Sequence, residues 1–117
     1  MTARAMAKRI LDCVKERPGA TFVELVGACG KEALGNEELS LGGDGENVIL
    51  WQGVSRLFSD ALGMAKPNLE IGYDHGLMCY GFDGKFLNLP LVDPTATSFP
   101  TEARWLPAIF TWRRRKS

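Results

Sequence analysis

Apolar residues recur along this chain first at helical and later at strand spacing. Ala7, Ile10, Leu11 and Val14 follow one another at intervals of three and four, which gathers them on one face of an amphipathic helix. Lys8, Arg9, Asp12, Lys15 and Glu16 fall largely on the other side. Pro18 disfavours helical geometry in Arg17 and cannot donate a backbone hydrogen bond, while Gly19 tolerates a left-handed turn, so this helix stops at Arg17-Pro18-Gly19. Thr21 and Glu24 then form the T-x-x-E capping box of a second helix, with Phe22, Leu25, Val26 and Cys29 as its inward stripe. Gly30 or Gly35 ends it.

Residues 35–46 are rich in Gly, Asn, Asp, Glu and Ser, with Gly42-Gly43-Asp44-Gly45 as the most flexible part. From Asn47 to about Leu62 the helical pattern returns. At about 100° per residue, Leu50, Trp51, Val54, Leu57, Phe58, Ala61 and Leu62 share one arc and Gln52, Arg56 and Ser59 lie opposite. Asp44 is placed to cap this third helix. After Lys66-Pro67-Asn68 the period changes to two: Leu69, Ile71 and Tyr73 alternate with Glu70, Gly72 and Asp74, the pattern of a half-buried strand. His75-Gly76 is read as a turn, residues 77–82 as a second strand, and Asp83-Gly84 as a hairpin turn before a third strand over 85–89. Pro94, Pro100 and Pro107 among Thr, Ser and Ala suit an extended surface segment. Trp105, Leu106, Ile109, Phe110 and Trp112 are too apolar for a solvated tail and are expected to dock on the domain or on a second copy.

A length of 117 residues supports one hydrophobic core, and 45% hydrophobic with 24% charged residues is the composition of an ordinary soluble globular protein. The expected organisation is a domain over 1–92 followed by a Pro-containing tail over 93–117, apolar and then basic. No stretch has the roughly 18 consecutive apolar residues of a membrane span. Residues 1–9 are interrupted by Arg4, Lys8 and Arg9 and do not lead into an apolar signal core, so the expectation is a cytoplasmic protein with no membrane partner. Charge is unevenly divided. Fourteen basic residues balance fourteen acidic ones, but Arg113, Arg114, Arg115 and Lys116 are consecutive, which leaves residues 1–112 with a net charge of minus four. Electrostatic attraction to nucleic acid therefore has to come from local clustering or from this terminal run.

Catalytic and metal-binding patterns fail on their spacing. Cys13, Cys29 and Cys79 are odd in number and form no C-x-x-C pair, so they are read as small buried hydrophobes and not as a disulfide or zinc framework. His75 is the single histidine, with Cys79 its nearest sulfur in sequence. On one extended strand the two lie about 13 Å apart, beyond hydrogen-bond reach. Gly27-Ala28-Cys29-Gly30-Lys31 lacks the glycine spacing of a phosphate loop and has Glu32 where Ser or Thr belongs. Asp44, Glu46 and Asn47 lack the glycine and terminal glutamate of a calcium hand. Glu37 and Glu38 have no second carboxylate pair to work against. These failures point to a non-enzymatic protein with no cofactor and no metal.

The first helix, the Thr21 helix, the Trp51 helix and the hairpin over 69–89 together resemble the winged helix-turn-helix superfamily in element order over about residues 5–91. The resemblance implies an α+β fold: three helices, with a short extra one in 31–46 to span the long connection, then a two- or three-stranded antiparallel sheet and an extended C-terminal tail. It implies a duplex-DNA-binding regulator or accessory factor that places its last helix in the major groove. Gln52, Ser55, Arg56 and Ser59 would face base edges, where Gln suits adenine and Arg guanine. Lys66, Lys85, Arg113, Arg114 and Arg115 would hold phosphates, joined by Lys8, Arg9 and Lys31 if folding gathers them, with the wing near His75 or Lys85 and Trp112 free to stack on a base. The alternative is a protein-interaction or dimerisation module of the same shape, using Trp105, Leu106, Ile109, Phe110 and Trp112 as its surface, with a second copy or another protein as partner.

Overall fold

A computed structural model of the chain describes residues 1–113. Helix α1 covers Ala3–Glu16. Thr2 caps its start by accepting from the Ala5 amide, and Met6, Ala7, Ile10 and Val14 are its buried face. After the two-residue strand β1 (Ala20–Thr21), helix α2 runs over Phe22–Cys29 and stops at Gly30, whose φ of 80° few other residues adopt. Thr21 does accept from the Glu24 amide, at 3.3 Å, but the box is only half formed. Glu24 turns its carboxylate to Arg17 instead, and the Thr21 hydroxyl donates to Asp83.

A short 3-10 turn at Lys31–Ala33 occupies part of the segment where an extra helix was expected, and the chain then enters a hairpin. Strand β2 is Leu34–Gly42 and strand β3 is Gly45–Val54. The expected helix over 47–62 is thus a strand in its first half. Val48, Ile49, Leu50 and Trp51 are all buried, an unbroken apolar run that suits a strand covered on both faces as well as it suits a helix. The flexible glycines decide the matter: Gly42 and Gly43 take φ values of 75° and 53° and close the hairpin turn. Asp44 caps nothing. Ser55 caps helix α3, Arg56–Ala65, by accepting from the Phe58 amide at 3.0 Å while donating to the Glu32 carbonyl.

Strand β4, Leu69–Tyr73, lies where period two placed it, but its partner is not the following segment. Residues 77–82 do not form a strand: helix α4 occupies Met78–Asp83, and residues 85–89 are irregular. The cause is Asp74, which is buried and accepts from the amides of Cys79 and Tyr80, satisfying the helix start. Asp83-Gly84 is the helix stop, with Gly84 at φ 73°, and not a hairpin turn. Three helices followed by a hairpin, the order that carried the winged helix resemblance, is not the order found. The fold is α+β with four α-helices and two three-stranded sheets among the described residues.

The apolar end of the C-terminal segment, expected to dock on the domain or on a second copy, docks on the domain and contributes a strand to each sheet. Residues 93–99 are exposed, but strand β5, Arg104–Trp105, pairs in parallel with β3, and strand β6, Ala108–Trp112, lies between β1 and β4. Trp105 and Phe110 are fully buried. They join Phe22, Trp51 and Tyr80 in an aromatic cluster whose adjacent rings lie 4.9 to 6.0 Å apart, drawn from α2, β3, α4, β5 and β6. The Tyr80 hydroxyl completes the β1–β6 ladder. The register pairs Ala20 with Phe110 and Thr21 with Ile109, so the next rung belongs to Phe22 and Ala108. There α2 begins, and the phenol bridges the rung by accepting from the Phe22 amide at 3.2 Å and donating to the Ala108 carbonyl at 2.6 Å.

Candidate nucleic-acid interface

Helix α1 carries its cations on a defined stripe. At 100° per residue, Arg4, Lys8 and Lys15 fall within an arc of about 40° along some 16 Å of helix, and all three are exposed. Asp12 and Glu16 sit farther round, beside Arg9 in the cleft that α1 forms with α2. At the C-terminal end of the stripe the Lys15 ammonium lies 4.3 Å from the centre of the Trp112 ring, a cation–π contact. Trp112 is the last residue of β6 and pairs with Leu69.

Arg113 is anchored next to it. Its amide donates to the Asn68 carbonyl at 2.9 Å and its guanidinium reaches the Leu69 carbonyl at 3.4 Å. Lys66 opens the short 3-10 turn, Lys66–Asn68, that supplies the first of these carbonyls. Packing β6 beside α1 therefore brings Trp112 under Lys15 at one end of the Arg4–Lys8 stripe, with Arg113 next in the chain and the Lys66 turn bonded to its backbone. None of these five cations forms an ion pair among the described residues. Arg114 and Arg115, expected to hold phosphates, lie outside the described residues.

The expected reading face is placed differently. Gln52 is on β3 and donates to Glu38 at 2.6 Å. Arg56, at the start of α3, reaches Asp60 at 3.2 Å and Glu37 at 4.0 Å. Ser55 is engaged as the α3 cap, and Ser59 is half-buried one turn later. These side chains do share a region, but Glu37, Glu38 and Asp60 make it acidic, which opposes approach to phosphate. Lys85 follows the stop of α4 and is exposed, with no ion pair among the described residues. Of the expected partner surface, Trp105 and Phe110 are interior, Leu106 and Ile109 half-buried, and Trp112 exposed.

Sequence patterning missed Arg4 and Lys15 as contact residues. Their signal was present in the first helix, where the cations at 4, 8 and 15 share one arc of about 40° and the acids at 12 and 16 fall outside it. What brings Lys66 and Arg113 to them is a pairing between distant segments.

The thiols are poor nucleophiles. Burial pushes Cys29 up to about 11. It also raises Cys13, with Glu24 adding to the effect, and Cys79, where Asp74 adds to it. A protonated thiol neither attacks nor binds metal. His75 lies in the turn before α4, 5.0 Å from the Tyr73 ring, so an extended strand does not separate it from Cys79 as expected; it is the protonated state of the sulfur that argues against the pair. Among the described residues no three His, Cys, Asp or Glu side chains are grouped to hold a metal ion, and no helix is long and apolar enough to cross a membrane.

A second feature is a groove of about 930 Å³ between β4, the β2–β3 hairpin and residues 92–104. Leu41, Val48, Ile71, Leu106 and Phe99 make its walls apolar, and Asp93, Glu102 and Arg104 are its charged groups. The Tyr73 hydroxyl donates to the Val92 carbonyl across one end, and the Arg104 guanidinium is held by the Leu91 carbonyl. Compared with known proteins, the chain matches no family model, no curated protein and no solved structure.

Proposed function

We propose that this protein is a non-enzymatic accessory factor that binds the backbone of duplex DNA through the face built from Arg4, Lys8, Lys15, Lys66 and Arg113. The observation that carries this reading is the convergence of Lys15, Trp112 and Arg113: an unpaired cation held over an exposed indole, beside a second cation whose backbone is pinned to Asn68. Cations without carboxylate partners are free to exchange counterions for phosphates. Gln52 and Arg56, paired with carboxylates, are not assigned base contacts, so binding is sequence-independent. This reading keeps the expected partner and moves the contact from the helix over 47–62, which does not form, to α1 and the end of β6. It makes no use of a winged helix.

Random-sequence duplex titrated into the full chain at about 50 and 200 mM salt tests it. Five phosphate contacts give a slope of about −4.5 in log K against log salt, a loss of about 500-fold over that range. A chain that binds no duplex at low salt, or binds with no salt dependence, overturns the reading.

A further inference from the structure

Strand β4 has one open edge. Its antiparallel register with β6 pairs Gly72 with Ile109 and Glu70 with Thr111, and the flanking bonds run from the Asp74 amide to Pro107 and from the Arg113 amide to Asn68. Even-numbered residues therefore bond to β6, and the N–H and C=O groups of Leu69, Ile71 and Tyr73 point the other way. The Leu69 carbonyl takes the Arg113 guanidinium; those of Ile71 and Tyr73, and their amides, have no partner among the described residues. Folded proteins usually protect such an edge with Lys, Pro, a bulge or a covering loop. Here Glu70, Ile71 and Gly72 are all exposed, Ile71 by 42%.

The open edge meets the apolar groove described above, and Ile71, Gly72 and Tyr73 are part of its wall. Asp93 and Glu102 line the groove, against one cation, Arg104. The Asp93 carboxyl is held below the usual carboxylate range by the Thr95 amide and hydroxyl, at 2.9 and 2.8 Å, so it stays anionic at neutral pH.

We infer that the β4 edge is a docking site for an extended peptide of alternating apolar and cationic residues, which adds as a strand beside Ile71 and Tyr73 and places alternate side chains in the groove. Main-chain bonds to an open edge supply affinity without fixing sequence, and the adjoining pockets select side chains. The charge balance favours a cationic peptide over a second copy of the chain. Two β4 edges brought together carry two sets of Glu70, Asp93 and Glu102 to one interface, and like charges there repel. The site adjoins the basic face at Leu69, whose carbonyl takes Arg113, but its groove is lined by none of the five cations of that face, so peptide and duplex titrations test the two readings independently.

The test uses the full chain and four synthetic peptides followed by fluorescence anisotropy: acetyl-Lys-Val-Lys-Val-Lys-Val-Lys-amide, its Glu-for-Lys counterpart, and two N-methylated forms of the first, methylated on the Lys or on the Val residues. The lysine peptide is expected to bind at least about tenfold more tightly than the glutamate peptide, and Asp93→Asn with Glu102→Gln to reduce that preference. One N-methylated form is expected to lose at least about tenfold in affinity and the other to keep it, because a paired strand offers its amides on one side only. Equal binding of both methylated forms, stronger binding of the glutamate peptide, or no peptide binding overturns the inference. A dimer by sedimentation that Ile71→Lys dissociates also overturns it, since a second copy then fills the edge.

Discussion

Tyr80→Phe removes one oxygen and breaks two buried contacts. The phenol of Tyr80 is fully buried and bridges the Phe22 amide and the Ala108 carbonyl at the end of the β1–β6 ladder. Without it both backbone groups stay buried and unpaired, since α2 has already drawn Phe22 out of strand register. Each orphaned group costs about 1–2 kcal/mol, which sets the expected loss at about 2–4 kcal/mol. At about 2.1 cal/mol/K of unfolding entropy per residue, a chain of this length loses about 4 °C of melting temperature per kcal/mol, so thermal unfolding followed by circular dichroism should fall by about 8–16 °C. The same hydroxyl carries a pH signature. Burial raises the Tyr80 phenol above its ordinary value of 10.0, so the folded chain keeps a proton that the unfolded chain releases. The stability it contributes is complete below about pH 10 and declines as the pH rises past that value, because unfolding is then coupled to proton loss. The Phe variant should lack the Tyr80 share of that decline and keep the share from Cys13, Cys29 and Cys79, whose thiols burial also raises. A loss below about 1 kcal/mol, with the alkaline slope unchanged, would refute the bridging role.

Other consequences are as direct. Replacing Lys15 and Arg113 together with Ala should reduce the salt slope for duplex from about −4.5 to about −2.7, leaving a loss of about 40-fold between 50 and 200 mM. Trp51 and Trp105 are buried and Trp112 is 38% exposed, so iodide should quench only Trp112, and bound duplex should shield it; quenching unchanged by duplex would place the contact elsewhere. Asp74→Ala should destabilise the fold by about 2–3 kcal/mol in urea titration, because the Cys79 and Tyr80 amides lose their acceptor. A Cβ at Gly35 would lie 2.8 Å from the Val54 carbonyl oxygen, so Gly35→Ala should cost about 1–3 kcal/mol in the same assay.

The parts of the fold set by local chemistry were readable from the chain. Pro18 and Gly19 stop α1, Thr21 caps α2, and the alternation over 69–73 is β4. The errors share one physical origin, that the deciding contact lies far away in sequence. Val48 to Trp51 could sit in a helix until β2 and β5 flank them on either side. Residues 77–82 form a short apolar run read as a strand, yet Met78 and Phe82 stay 77% and 93% exposed, because Asp74 starts a helix and only Tyr80 is fully buried. The candidate interface divides in the same way. The stripe on α1 could be drawn on a helical wheel, but nothing near Lys66 indicates that Arg113 will hold its turn, or that Trp112 will come to rest under Lys15. The glutamates that pair with Arg56 and accept from Gln52 are neighbours only because β2 lies alongside β3.

The place of β6 bears on how the protein is made. Ala20 and Thr21 wait for Phe110 and Ile109, so during synthesis one sheet has no middle until about 90 further residues have been translated. Until then the β4 edge is open on both sides and Trp51 lacks Trp105 against it. A ribosome that stops between about residues 84 and 103 releases a chain with two unpaired strands, β1 and β4, and a gap among its aromatic rings, a product exposed to proteases.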